Sequence, residues 1–298
     1  MALYAFDGTG NDDKPDTEEG GFDSNVLAFF RAYGDPDKDF TETQDTGSLY
    51  LNGIGQRAKT KPGSVLSKAL GLGGHRRLGI MVNRLEANRE VGDTTVDVVG
   101  FSRGAALAVS FANEVARKFP DLSIRFLGVF DVVGQFGLPG THLNAGHQLS
   151  LPTNVKTCRH AMALDEGRSL FPLTRLCDDA GKPADSLVEV WFRGVHSDVG
   201  GGNGNRGLNW VALHWMYLNA RRAGLPIDDA AIAANLADQG LPRQIRDHKL
   251  ELTRKRTFFA TDCLHSSVQL VEGVPGRPHN NPSMPLRRMS DDGEFVTT

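Results

Sequence analysis

Short apolar runs that stop at small polar residues alternate along this chain with longer stretches of helical period. Residues 3–6 form such a run and end in Asp7-Gly8-Thr9-Gly10-Asn11, and residues 49–51 are closed by Gly53 and Gly55. The β-branched run 94–99 passes straight into Gly100-Phe101-Ser102-Arg103-Gly104, residues 124–130 end at Asp131, and residues 187–192 lead into a glycine-rich loop holding His196 and Asp198. Runs of this length, bounded by glycine and aspartate, predict strands buried on both faces. Between them the period changes. Residues 75–90 put Leu78, Met81, Val82 and Leu85 on one helical face, and residues 105–119 predict a helix stopped by Pro120. Residues 25–33, 208–223 and 229–239 also read as helices, residues 257–260 as a last strand.

Strands and helices in alternation predict an α/β fold: a mainly parallel sheet, helices on both faces and long active-site loops. No linker interrupts the pattern. One domain over residues 1–298 is therefore expected, its core about 3–270 and an irregular tail about 275–298, where Pro, Arg and Asn accumulate. With 40% apolar and 23% charged residues, the chain is neither disordered nor fibrous. Lys and Arg number 33 against 36 Asp and Glu, so nothing marks a nucleic acid as partner. No apolar run is long enough for a transmembrane helix. The first residues lack the basic and apolar parts of a leader, so synthesis in the cytoplasm without a signal peptide is expected. Cys158, Cys177 and Cys263 are odd in number and far apart, which fits reduced thiols rather than a disulfide or zinc framework.

In an open parallel sheet, ligands bind at the carboxyl ends of the strands. Asp7, Ser102, Asp131 and His196 each follow an apolar run and would converge there. Gly100 to Gly104 reads G-x-S-x-G with a strand running in and a helix running out, the context of a nucleophile elbow. The sharp turn demands small residues at Gly100 and Gly104 and offers the Arg103 backbone N–H as an oxyanion donor. A serine needs a base, and the chain order serine, acid, histidine assigns Asp131 and His196. Asp198 remains an alternative acid, although anchoring the glycine loop suits it better, and His265 an alternative base. Gly8 or Thr9 would give a second oxyanion N–H, with Asp7 organising that turn.

Taken in order, Phe6 to Asn11, Tyr50-Leu51-Asn52-Gly53-Ile54-Gly55, Gly100 to Ala105, Phe130-Asp131-Val132-Val133-Gly134, Ala163-Leu164-Asp165-Glu166, Val190 to Gly202 and His265-Ser266-Ser267-Val268 resemble the α/β-hydrolase catalytic domain of the type VI secretion phospholipase effectors. That domain is also found in bacterial and fungal proteins of unknown function. The resemblance spans nearly the whole chain. One departure is Gly10, where the family usually carries Trp. The resemblance implies A-type phospholipase or lipase chemistry on glycerophospholipid acyl esters, with Ser102 as nucleophile, Asp131 as acid and His196 as base. It implies no metal or organic cofactor. The implied partners are a phospholipid or other acyl-ester substrate, a membrane surface touched peripherally, and an immunity or secretion-apparatus protein, with delivery by a type VI system into a target cell. Two other classes stay open: a non-catalytic lipid- or partner-binding member, and a metal-dependent phosphatase using Asp7 with Asp131 and Asp198 on Mg²⁺. Residues 132–155 carry no Asp, Glu, Lys or Arg. With residues 65–74, they are candidates for an acyl-chain groove or lid.

Overall fold

A strand apolar on both faces needs a covering layer on each side, and the sheet of this chain has both. The structure, a computed structural model, describes residues 1–8, 23–53, 66–134, 149–169, 171–245, 255–270 and 280–296, with the backbone alone for 66–72. The elements run β1 (Ala2–Phe6), α1 (Asn25–Ala32), β2 (Lys38–Asp39), β3 (Ser48–Leu51), α2 (Leu66–Glu90), β4 (Val96–Phe101), α3 (Ser102–Lys118), β5 (Ile124–Phe130), β6 (Cys158–Ala163) and β7 (Leu187–Phe192). They continue with α4 (His196–Gly200), α5 (Arg206–Arg222), α6 (Asp229–Leu236), β8 (Cys263–His265), β9 (Arg287–Met289) and β10 (Phe295–Val296).

One ten-stranded sheet takes the order β10-β9-β8-β7-β6-β5-β4-β1-β3-β2. Each neighbouring pair is parallel except β9 with β10. Successive side chains point to opposite faces. Tyr4, Phe6, Val96 and Val98 therefore join α2 and α3 in one cluster, through Met81, Leu85, Ala105 and Phe111. Leu3, Ala5, Val99 and Phe101 join α1 and α5 in the other, through Phe29, Phe30, Trp215 and Met216. The α/β class and its mainly parallel sheet are thus as the sequence pattern predicts.

Several boundaries differ. The helix expected over 75–90 begins at Leu66, and the one expected from 105 begins at Ser102 itself. β6 has no sequence forecast, because Arg159 and His160 interrupt its apolar character. The last strand is not 257–260 but Cys263–His265, which pairs with β7 and β9. Phe258 and Phe259 are apolar for another reason: Phe258 packs edge-on to Trp191, and Phe259 lies under the Arg175 guanidinium. The tail is not irregular throughout, since β9 and β10 extend the sheet edge. Residues 135–148 of the proposed groove, and residue 65, lie outside the described residues.

Close packing fixes the turn between β4 and α3. A Cβ on Gly104 would meet the carbonyl oxygens of Phe6 at 2.3 Å and Asp7 at 2.4 Å. A Cβ on Gly100 would meet the Ala105 backbone at 2.7 Å. Gly104→Ala should therefore destabilise the protein by about 3 kcal/mol in urea unfolding. Gly79→Ala, in α2 with nothing within 4 Å of its Cβ, should instead stabilise by about 0.5–1 kcal/mol. Equal responses would contradict this packing.

Candidate active site

The carboxyl edge of the sheet gathers the groups that follow its strands. Ser102 opens α3 at φ +58°, and Asp131 follows β5 at φ +43°. Left-handed backbone is uncommon for such residues and costs of order 1–3 kcal/mol each. His196 opens the short α4, one strand beyond β6. His196 Nε2 lies 2.8 Å from Ser102 Oγ, and His196 Nδ1 lies 2.6 Å from Asp131 Oδ2. With a carboxylate as acceptor at Nδ1, the proton sits there, and Nε2 is free to accept from the serine hydroxyl. The three residues are 5%, 3% and 0% exposed for Ser102, His196 and Asp131, so the relay runs in a medium of low polarity.

A buried carboxylate must have its charge answered. Arg256 does this with a fork: Nη1 donates to Asp131 Oδ1 at 2.5 Å and Nη2 to Oδ2 at 2.8 Å. The Ala163 N–H donates to Oδ1 at 2.8 Å. Burial alone would raise the Asp131 carboxyl. The Arg256 charge and the His196 hydrogen bond outweigh it and hold the group well below the usual carboxylate range. Arg256 is itself fixed by the carbonyls of Ala163 and Phe171. Nothing in the sequence pattern singles it out, since it ends a basic run that reads as solvated surface.

Further groups hold the histidine and the acid in register. The His196 N–H donates to Glu166 Oε2 at 3.1 Å. Burial pushes the Glu166 carboxyl up, but hydrogen bonds from Arg168 overrule it and hold it low. Arg168 stacks on Phe171 at 4.1 Å, and Phe171 and Phe101 flank the His196 ring at 4.8 and 4.6 Å. After Asp131, the Val132 N–H donates to His160 Nε2, whose Nδ1 is 2.8 Å from Glu189 Oε1. The Gly134 N–H donates to Thr174 Oγ1. Glu166 stands in the Ala163–Glu166 motif with no role assigned to it from sequence, and His160 carries no sequence signal; each sits at or just past β6, the strand whose pattern is least legible.

The remaining candidates have separate duties. Asp198 accepts from the Val195 N–H at 3.0 Å and from the Asn203 and Asn205 side chains at 2.8 and 2.7 Å. It ties the glycine loop and does not touch His196 Nδ1. His265 lies within β8, stacked on Phe192, with Ser267 Oγ at 2.8 Å and Asp291 Oδ1 at 3.1 Å from its ring nitrogens. Asp7 accepts from Ser24 Oγ and the Tyr50 hydroxyl, both at 2.5 Å, and from the Gly8 N–H at 2.6 Å. The Gly8 amide is therefore turned to Asp7 and not presented to a ligand; Thr9 lies outside the described residues. The Arg103 N–H belongs to the first turn of α3, where amides have no partner within the helix. Asp7, Asp131 and Asp198 thus sit in three separate hydrogen-bond sets. Among the described residues, no group of three His, Cys, Asp or Glu side chains is arranged to hold a metal ion. Among them also, no helix is long and apolar enough to cross a membrane.

Arg256→Met should strand the Asp131 charge and cost about 3–5 kcal/mol at pH 7. The sign with pH follows. A carboxylate held low in the folded state stabilises above its ordinary range and loses that contribution as pH falls. Without Arg256, Asp131 takes up a proton at higher pH, which relieves the stranded charge. The stability gap between variant and wild type should narrow from pH 7 to pH 4 in urea unfolding. A gap of constant size would contradict the electrostatic role.

Comparison with known proteins adds to this geometry. The family model described as the catalytic domain of Tle1-like type VI secretion phospholipase effectors matches residues 3–117 and 109–219. No curated protein matches the chain. A crystal structure of an uncharacterized protein from Pseudomonas aeruginosa is similar at 23% identity and a TM-score of 0.52, over 78% of this chain and 47% of its own. That likeness is one of fold. A structure of the Tle1 effector bound to the VgrG spike of the type 6 secretion system is similar at 22% identity and a TM-score of 0.47, over 69% of this chain and 51% of its own. The chain spans about half the length of these solved structures. The match from β1 through α5 covers most of the chain, which therefore belongs to the family of Tle1-like type VI secretion phospholipase effector catalytic domains.

Proposed function

We propose that this protein is a serine hydrolase of the A-type phospholipase kind, releasing fatty acid from the acyl esters of glycerophospholipids. The observation that carries the reading is the relay from Ser102 Oγ through His196 to Asp131, at 2.8 and 2.6 Å, mounted on a strained strand-to-helix turn. Family membership supports the choice of phospholipid.

In this mechanism Ser102 Oγ attacks the ester carbonyl as His196 Nε2 takes its proton. The positive charge that develops on the imidazole is met by Asp131. The Arg103 N–H, at the positive end of α3, stabilises the oxyanion. Collapse of the tetrahedral intermediate breaks the ester C–O bond, and Nε2–H protonates the departing lysophospholipid. Water, activated by the same imidazole, then releases the fatty acid and regenerates Ser102. Arg256 keeps Asp131 ionised and placed, and Glu166 fixes the entry to the His196 helix. Delivery by a type VI apparatus, with a partner from that apparatus and a target membrane, is the setting that the family suggests.

The test is labelling with a fluorophosphonate followed by fatty-acid release from phosphatidylglycerol vesicles. Wild type should label. Ser102→Ala should not, and His196→Ala should lose about 10⁴-fold in rate. His265→Ala should label like wild type. Persistent labelling of Ser102→Ala would place the nucleophile elsewhere. Loss in His265→Ala with retention in His196→Ala would reassign the base.

A further inference from the structure

Arg103 is the second residue of α3, directly after Ser102. Its guanidinium is half-buried, and among the described residues it makes no hydrogen bond, ion pair or ring contact. That sets it apart within its own protein. The other described arginines drawn away from water each hold an oxygen: Arg84 on Asp39, Arg125 on Asp97, Arg159 on Asn219, Arg168 on Glu166, Arg175 on Glu189 and Arg256 on Asp131. The same holds for Arg77, Arg89, Arg193 and Arg288. Burial with nothing opposite pushes Arg103 down to about 10.

A cation removed from water without a counter-charge is unfavourable, and the fold supplies counter-charges elsewhere. An arginine fork matches the two free oxygens of a phosphodiester. The distances of covalent structure fit as well. Adjacent Cα atoms are about 3.8 Å apart, so the Arg103 side chain starts next to the reacting serine. In a glycerophospholipid the phosphate is carried on the glycerol carbon beside the central ester, a few bonds from that carbonyl. The start of α3 adds a positive field of the same sign.

We infer that Arg103 binds the phosphate of a glycerophospholipid whose acyl ester is seated on Ser102, and so selects phosphodiester lipids over neutral acylglycerols. The inference rests on the hydrolase reading above and names the group that reads the substrate. The backbone of Arg103 serves the oxyanion, while its side chain serves the head group.

Wild type, Arg103→Gln and Arg103→Lys are compared on dihexanoylphosphatidylcholine and dihexanoylglycerol, both as soluble monomers. The readout is the ratio of the two kcat/KM values, in which any loss shared through the oxyanion amide cancels. Arg103→Gln should lower the phospholipid-to-neutral ratio about 10- to 100-fold, the worth of a charge-assisted hydrogen bond, chiefly through KM. Arg103→Lys should recover part of it. A ratio unchanged in Arg103→Gln overturns the inference and leaves the hydrolase reading intact. Wild type no faster than Ser102→Ala on both lipids sinks both.

If Arg103→Gln does not fold, the wild type alone decides. Dibutyl phosphate should compete with p-nitrophenyl butyrate, whereas neutral tributyl phosphate should not. Equal inhibition by the two overturns the inference. Inorganic phosphate inhibiting as strongly as dibutyl phosphate would assign the arginine to a free anion and overturn the head-group assignment.

Discussion

A carboxylate shut off from the protein surface governs this site. Asp131 is fully buried, and every contact it makes is a donor: His196, Arg256 twice and the Ala163 N–H. Remove the charge and the imidazole loses its orientation. Remove the fork and the charge becomes intolerable. The histidine, its helix and the β5–β6 edge are arranged around satisfying that one group. Glu166 repeats the solution, with Arg168 as its cation and the backbone amides of Arg168 and His196 as further donors.

Position comes from the sheet. Parallel neighbours bring the ends of β1, β4, β5, β6 and β7 to one edge, so residues far apart in sequence meet without long excursions. Two of them, Ser102 and Asp131, are held in left-handed backbone. The surroundings supply the restraint: Gly104 lets α3 press on the last carbonyls of β1, and the Val133 N–H bonds the Ser102 carbonyl at 3.2 Å. The strain is thus locked between two strand ends rather than left to a loop.

Much of this is readable in the sequence because the signals are local. The runs 94–99, 124–130 and 187–192 are mostly apolar or β-branched, with one charged residue each, and each ends where the chemistry begins. G-x-S-x-G has meaning through its strand and helix. Long-range pairing is what stays hidden. β6 contains His160, a polar residue tolerated in a buried strand because Glu189 and the Val132 amide satisfy it. Arg256 ends a basic run that ordinarily faces water. Phe258 and Phe259 imitate a strand, but their rings serve Trp191 and Arg175. The Gly8 amide suggests an oxyanion donor until the Asp7 carboxylate takes it. In each case the deciding partner is tens of residues distant, or is a side chain whose direction no periodicity fixes.

The Arg256 fork reaches back 125 residues to Asp131, and it lies beyond the stretch matched by the family model. Synthesis runs from the amino end, so serine, aspartate and histidine all leave the ribosome before the cation that balances them. A stretch ending at α5 contains the relay's three members and lacks the guanidinium that balances Asp131. Completion of the site is therefore tied to the residues beyond α5: the group that answers the Asp131 charge is the last of the four to be made.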